Sequence, residues 1–416
     1  MVYSIKFQDK MAPIFRADQV GSMIRPPTLL QGPRQRDNAY AERDPTDEER
    51  AKAVDDAINH VIQKQLELSI RPLSNGEYDR HIFCSGFHER LRGMQSFDAL
   101  RLPEDFRPAL PNLVGMQNMG FKVYGGVVAT GKIRHHGESP LLASWDIFKR
   151  AVAPELWKEC KVSMPSITWQ HQHLAHGTAF TSEVYSSDRE YFADLAAAYR
   201  QEFRLLYDSG LRSVQVDDPA LTYFILDNFR EALRADGVDP DELLQLYVWA
   251  HNEAIKDIPD DMHVGIHLCR GNLPNNIPGH EHFNADGSYE RIAQVLFGQL
   301  KYNTLYLEFD TSRSGSFEPL RFVPKGTNVV LGLVSTKVPD LEDVDLLAGR
   351  VEEAAAVIAQ GQGRGAEEVL ADTLAVSPQC GFSSFKEARG VGSEENMWAK
   401  LVLVRDLARR VWSDAA

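Results

Sequence analysis

Eight short apolar runs that end in polar residues predict an α/β protein of the (β/α)8 TIM-barrel class. Helical patterns fill most of the connections between these runs, as parallel strands require. No Gly-x-Gly-x-x-Gly turn follows the first run, which argues against an open sheet with a dinucleotide site. The runs end at Ser22, Glu77, Ser166, Asp217, His267 with Cys269, Glu308, Ser335 and Cys380.

The first part of the chain predicts a strand, a helix, a second strand and then an insertion. Residues 15–22 and 70–77 are the strand candidates, and between them Thr46 and Glu49 have the spacing of a capping box ahead of a helix. The segment from about 84 to 158 is rich in Gly, Pro and Arg and predicts an irregular insertion, with one β-like run at 122–130. We therefore expect residues 1–416 to form a single barrel domain that carries this insertion.

Strand and helix patterns alternate in the remainder of the chain. The strand candidate 161–166 precedes a capping box at Ser187–Glu190, which opens a helix that runs to about Asp208. Further strand candidates are 213–217, a run that ends at His267, 304–309, 328–335 and a run that ends near 380. Helices are predicted at about 225–235, 241–257, 289–300, 347–358 and 397–411.

Composition narrows the class of protein further. Hydrophobic residues make up 43% of the chain and charged residues 25%, and the formal net charge of −14 argues against nucleic-acid binding. No apolar run predicts a membrane span, and the first ten residues lack the apolar core of a signal peptide, so we expect a cytoplasmic protein. Four cysteines are too few for a disulfide scaffold, and we expect Cys84 and Cys160 to be structural.

His267 and Cys269 point to a metal site. Residues two apart on a strand face the same side, and a neutral imidazole and a thiolate are preferred ligands of Zn²⁺. A closed zinc site needs four donors, and Cys380 and Glu308 lie at the ends of two other predicted strands. The sequence therefore predicts a zinc site of His267, Cys269, Glu308 and Cys380. The alternative is that the cysteines are small hydrophobic core residues.

This donor set suits alkyl transfer to sulfur. Two thiolates, one carboxylate and Zn²⁺ sum to a charge of about −1, and exchange of the carboxylate for an incoming thiolate leaves that sum unchanged. A substrate thiol that displaces Glu308 becomes a thiolate, which is the nucleophilic form of sulfur.

Six motifs spread over residues 14–385 resemble the cobalamin-independent methionine synthase family. The resemblance is greatest to its short, single-barrel members, which match only the catalytic C-terminal half of the full enzymes. It implies that His267, Cys269, Glu308 and Cys380 bind zinc. The motifs are Phe15–Ser22, Ser74–Arg80, Val214–Ala220, His267–Asn272, Leu307–Glu308 and Ser377–Phe382.

The resemblance also implies an amino-acid site. In the full enzymes a Ser, a Glu and an Asp hold the carboxylate and ammonium of homocysteine, and by motif these are Ser22, Glu77 and Asp217. Asp217 and Glu308 would then be the catalytic carboxylates. Asp217 is preferred to Asp218 because it shares a strand face with Gln215.

Several of these residues have other interpretations. Asp217 and Asp218 are also consistent with a turn before a proline, and Glu77 with a salt bridge to Arg80. Arg313 and Lys337 either bind a substrate acid or are solvated charges, which is the more common case.

Other histidines and one tryptophan carry weaker signals. The pairs His171 with His173 and His280 with His282 have same-face spacing but no nearby Cys or carboxylate with a clear strand-end placement, so we expect surface or loop positions. Trp169 is either a stacking surface for a pteridine or a core aromatic.

The chain departs from the full-length family members at one position. Where they carry a proton-donating His on the seventh strand, this chain has Val334. The donor is therefore left open between methyltetrahydrofolate, a methylated corrinoid and another alkyl donor.

The leading hypothesis is a zinc-dependent S-methyltransferase that acts on a small-molecule thiol such as homocysteine. A second hypothesis keeps the zinc and changes the reaction to alkyl transfer from an epoxide or to thioether cleavage. A third is a zinc-binding or thiol-binding protein without turnover. A zinc-free barrel decarboxylase would leave the His-x-Cys pair and Cys380 without a role.

Overall fold

Six parallel strands form the centre of the structure. The computed structural model describes residues 15–30, 48–80, 82–118, 120–272, 284–383 and 390–413. Each central strand pairs with the next in chain order, and nearly every residue in them is buried. The six strands are Val162–Pro165, Ser213–Asp217, His263–Leu268, Thr304–Glu308, Asn328–Val334 and Leu374–Pro378.

Two shorter segments complete the ring of eight. Residues 15–22 and 70–77 pair with their neighbours through single bridges, not through continuous ladders. Pro72 has no N–H to give to a ladder, and Gly21 turns the backbone at a φ of +135°. The links join Ala17 to Val376, Leu73 to Cys160, and the N–H of Met23 to the carbonyl of Gly76 at 3.1 Å. The predicted barrel is thus confirmed, with two strands shorter than expected.

The insertion is more regular than the sequence predicted. Strand Arg92–Arg101 pairs antiparallel with strand Val123–Arg134, and helix Pro111–Asn118 connects them. The expectation of an irregular segment was wrong here. Arg92–Arg101 is mostly exposed or half-buried, and irregularities interrupt its register, so it lacks the alternation that identifies a strand.

The predicted helices around the barrel are confirmed. Ser187 caps its helix as expected, because its hydroxyl accepts a hydrogen bond from the N–H of Glu190. No helix among the described residues is long and apolar enough to cross a membrane. The α-helices are Pro27–Leu30, Glu48–Glu67, Pro111–Asn118, Leu142–Ala151, Trp169–His173, Asp188–Asp208, Asp227–Ala235, Pro240–Ala254, Glu290–Gln299, Val344–Gln362, Ala366–Asp372 and Glu394–Val411.

One helix packs so closely that it requires a glycine. A Cβ on Gly361 would lie 2.1 Å from the backbone oxygen of Arg321. We expect Gly361→Ala to lower the free energy of unfolding by about 2 kcal/mol, because the backbone must shift to relieve the overlap. Gly349→Ala in the same helix is the control: nothing lies within 4 Å, and the gain in helix propensity should raise stability by ~0.5–1 kcal/mol. Urea denaturation checks both, and equal stability of the two variants would contradict the packing argument.

Candidate metal centre and substrate cavity

Four potential metal ligands meet at the carboxyl ends of the strands. His267 lies in strand His263–Leu268 and Cys269 directly follows it, while Glu308 ends the next strand and Cys380 follows the last one. Their donor atoms all lie within 4.8 Å of one another. The two sulfurs are 3.6 Å apart, and Nε2 of His267 is 3.6 Å from Oε1 of Glu308.

These separations fit a tetrahedral zinc ion. With Zn–S bonds of about 2.3 Å, two sulfurs at the tetrahedral angle are ~3.8 Å apart, and shorter Zn–N and Zn–O bonds bring those atoms to ~3.4 Å. The observed separations are close to both values. One imidazole, two thiols and one carboxylate are also donor types that zinc accepts. The four residues could therefore hold Zn²⁺ together.

Asp217 orients the imidazole. Nδ1 of His267 is hydrogen-bonded to Oδ1 of Asp217 at 2.9 Å, which leaves Nε2 on the side of the other donors. Gln215 donates to the same oxygen at 3.0 Å, so the two residues share a strand face as predicted. A carboxylate behind a histidine ligand fixes the ring and makes it a better donor.

The ionisable groups of the cluster favour the binding of a metal cation. Burial by itself lowers the pKa of His267, but the carboxylates of Asp217 and Glu308 outweigh it and hold this pKa well above its usual value. Contact with Cys380 and burial raise the pKa of Cys269 well above that of a free thiol. Burial disfavours the Glu308 carboxylate, yet His267 and nearby cations hold its pKa at about 2. A metal ion would supply the positive charge that lets the thiols ionise.

A cavity of about 120 Å³ opens onto this cluster. His267, Cys269 and Cys380 line it, and so do all three residues that the sequence assigned to amino-acid binding, which are Ser22, Glu77 and Asp217. Glu308 does not line the cavity and is fully buried behind it. Six of the seven predicted site residues thus line one cavity, and Glu308 meets the other metal donors from behind it.

Glu77 has the features of a functional carboxylate. Its φ of +59° is unusual for a residue with a side chain, and strained backbone is concentrated at functional sites. Its Oε1 accepts a hydrogen bond from Ser163 at 2.5 Å and lies 2.7 Å from Arg80, so the expected salt bridge exists. Its Oε2 is buried and has no hydrogen-bond partner among the described residues. One oxygen is therefore fixed and the other is available to a ligand.

Ser22 packs against Gly381, the residue that follows Cys380. A Cβ on Gly381 would lie 1.9 Å from the Ser22 hydroxyl oxygen, so a larger residue there would force the Ser22 side chain to move. The N–H of Phe382 donates to the carbonyl of Ser22 at 2.9 Å. The first and last positions of the barrel thus meet at the cavity.

Aromatic side chains form another wall of the cavity. Trp169 is 4% exposed and contacts Phe83 edge to face, with ring centroids 5.0 Å apart. The insertion adds three residues that the sequence did not single out, because nothing in their spacing links them to the strand ends. These are Asn112, Met116 and Tyr124.

The prediction of surface positions for His171 and His173 was wrong. Both are buried in helix Trp169–His173, where His171 pairs with Asp188 at 3.1 Å and His173 is 2.9 Å from the side chain of Asn112. Burial lowers the pKa of His173 to about 4, so it is neutral. His280 and His282 lie outside the described residues.

Arg313 and Lys337 are not solvated charges. The side chain of Arg313 is 13% exposed and pairs with Glu308 at 2.7 Å, while Lys337 lies 3.4 Å from Asp310. Val334 is fully buried and does not line the cavity.

Asp218 has a different role from Asp217. It is fully buried and bonded to His251 at 3.0 Å and to Thr168 at 2.5 Å, away from the cavity lining. These contacts occupy the carboxylate within the protein, which supports the choice of Asp217 as the site residue.

Comparison with known proteins relates this chain to cobalamin-independent synthases. Residues 179–400, more than half of the chain, match the family described as the cobalamin-independent synthase, catalytic domain. The uncharacterized protein YxjG of Bacillus subtilis is 32% identical over 409 residues, which cover 98% of this chain and 97% of that protein. The 5-methyltetrahydropteroyltriglutamate–homocysteine methyltransferase of Acidithiobacillus ferrooxidans is 22% identical over 92% of this chain, but the match spans only 41% of that protein.

A solved structure shows the same architecture. It belongs to a Listeria monocytogenes protein that is provisionally described as a vitamin-B12-independent methionine synthase. The TM-score is 0.67 at 26% identity, and the match covers 97% of this chain and 99% of the other. With the family match and the barrel, this likeness leads to one conclusion: the chain belongs to the cobalamin-independent methionine synthase family, in its short form.

Proposed function

We propose that this protein is a zinc-dependent S-methyltransferase that methylates the thiol of homocysteine or a closely related amino acid. The observation that carries the proposal is a cluster of four zinc-type donors, three of which line the same cavity as Ser22, Glu77 and Asp217. Membership in a family that includes methionine synthases supports methyl transfer as the reaction.

The chain's own residues would bind and orient the thiol. Glu77 offers its unpartnered buried oxygen to the substrate ammonium, and Asp217 adds a second negative charge on the same cavity. The hydroxyl of Ser22 lies beside Gly381 at the cavity and would bond the substrate carboxylate. An amino acid held at both ends directs its side-chain sulfur toward the donor cluster.

Zinc in this site would supply one effect, which is to lower the pKa of the substrate thiol so that the nucleophilic thiolate is present at neutral pH. His267, Cys269 and Cys380 would hold it, and Glu308 would yield its place to the thiol. Asp217 keeps the imidazole of His267 in position throughout. Trp169 and Phe83 give the cavity an aromatic wall that would limit the access of water to the reacting groups.

The test is a methyl-transfer assay on zinc-loaded protein with homocysteine. We expect mass spectrometry to detect methionine with at least one of three donors: methyltetrahydrofolate, methylcobalamin or a methylated corrinoid protein. Metal-free protein should form ~100-fold less product or none, because the free thiol is mostly protonated. If none of the donors gives methionine but an epoxide alkylates the thiol, methyl transfer is the wrong reaction. If no thiol is alkylated at all although zinc is bound, the protein is a binding protein.

A further inference from the structure

The Glu308 carboxylate has partners on two sides. Its Oε1 accepts a hydrogen bond from the backbone N–H of Arg270 at 3.1 Å and lies 3.6 Å from Nε2 of His267. Its Oε2 accepts a hydrogen bond from Nη2 of Arg313 at 2.7 Å. One oxygen thus faces the zinc-type donors, and the other faces a guanidinium.

Arg313 has spare hydrogen-bonding capacity. Its Nε and Nη1 are buried and have no hydrogen-bond partner among the described residues, although Nη1 lies within ion-pair distance, 4.0 Å, of Oδ1 of Asp286. Buried donors without acceptors are unfavourable, so a further acceptor at this position would be stabilised. A guanidinium binds both oxygens of a carboxylate through parallel N–H groups, and Arg313 at present uses one of them on Glu308.

The loop around Arg313 is fixed in place. The side chain of Arg270 donates to the backbone carbonyl of Arg313 at 3.3 Å and to that of Ala285. Asp310 lies 3.7 Å from Nη2 of Arg313, and Lys337 lies 3.4 Å from Asp310 on its other side. Arg313 therefore contacts Glu308 directly on the side away from His267, and its own neighbours hold it there.

Exchange of Glu308 for a substrate thiolate would leave a negative charge in a buried position. When a thiolate replaces the carboxylate, the charge of the donor set does not change, but Glu308 remains in a position that is fully buried. Its Oε1 would then keep only the backbone N–H of Arg270, and incomplete pairing of a buried carboxylate is unfavourable. The exchange therefore needs a cation that can accept the whole carboxylate.

We propose that Arg313 is the positioning residue that receives the Glu308 carboxylate when the substrate thiol takes its place. This inference rests on the proposed function. In the exchange, Glu308 leaves the donor set, the thiol loses its proton to the buffer, and its sulfur takes the vacated position without any redox change. Oε1 of Glu308 then joins Oε2 on the guanidinium of Arg313.

The test compares Arg313→Met and Arg313→Lys with wild type. Arg321→Met is the matched control, because Arg321 pairs with Glu290 at the surface. Metal analysis gives the zinc content, and cobalt-loaded protein gives the homocysteine affinity from the thiolate-to-cobalt absorption band. We expect Arg313→Met to keep its metal and to bind homocysteine at least tenfold more weakly. Arg313→Lys keeps the charge but lacks the parallel N–H groups of the guanidinium, so its homocysteine affinity should fall by more than twofold but less than in Arg313→Met. Arg321→Met should stay within twofold of wild type.

Three results would overturn the inference. The first is that both Arg313 variants keep their full metal content and bind homocysteine within twofold of the wild-type affinity. If Arg313→Met does not fold, the same result in Arg313→Lys alone is sufficient. Another is loss of metal from Arg313→Met, which would mean that Arg313 holds Glu308 in the donor set. The third is that the wild-type protein binds no metal, which would also refute the proposed function. Metal analysis of wild type therefore distinguishes failure of the proposed function from failure of the Arg313 inference alone.

Discussion

Replacement of Cys380 by Ser is expected to weaken zinc binding by at least ~100-fold and to abolish methyl transfer. Loss of an outer partner of a zinc ligand already costs ~10–100-fold in affinity, and Cys380 would be a ligand itself. A serine hydroxyl stays protonated and is a poorer donor for zinc than a thiolate. Metal analysis after dialysis, followed by competition with a chelator, measures the loss.

Cys160→Ser is the matched control for this change. Cys160 is also fully buried, but it lies outside the cavity lining and is 3.5 Å from the carbonyl of Leu156. This variant should lose some stability and keep its zinc. Should Cys380→Ser retain one zinc per chain with unchanged homocysteine affinity, the assignment of Cys380 as a ligand is wrong.

The sequence was sufficient to predict the barrel because its strands are short and end abruptly. Buried parallel strands are continuously apolar, and the first polar residue after each run marks the end that faces the site. Runs that end at Asp217, His267 and Glu308 match strands of the structure closely. The first two runs form single bridges instead, since the sequence pattern does not show how many ladder bonds a segment makes.

The donor cluster was predictable for a related reason. Period-two spacing places His267 and Cys269 on one side, and barrel closure brings strand ends together even when they are more than 100 residues apart, as for Cys269 and Cys380 at 3.6 Å.

Site residues outside the ends of the barrel strands could not be predicted in this way. Asn112 and Tyr124 reach the cavity only because the insertion folds over the end of the barrel, and Arg313 reaches Glu308 only through the turn that follows its strand. A charged residue in a loop is usually solvated, so no local pattern distinguishes Arg313 from arginines that are exposed. The ion pair between Arg313 and Glu308 could therefore be identified only from the structure.

Replacement of Glu77 by Gln is expected to remove the preference for an amino-acid thiol. Wild type should favour homocysteine over 4-mercaptobutanoate, which has the thiol and the carboxylate but no ammonium. A hydrogen bond to a charged group contributes ~1.5–3 kcal/mol, so the ratio of kcat/KM for the two thiols should fall by ~10–100-fold in Glu77→Gln. The loss should come from homocysteine alone, because only the ammonium contacts Glu77 in the proposed site.

A second buried carboxylate separates this effect from general destabilisation. Glu202 is fully buried and is bonded to His135 at 2.7 Å and to Ser139 at 2.6 Å, but it does not line the cavity. Both Glu77→Gln and Glu202→Gln should lower the melting temperature, since each leaves a buried partner without its carboxylate. Only Glu77→Gln should change the thiol preference. An unchanged ratio in that variant would show that the ammonium binds elsewhere, because no other effect of the substitution distinguishes two thiols that differ in that group alone.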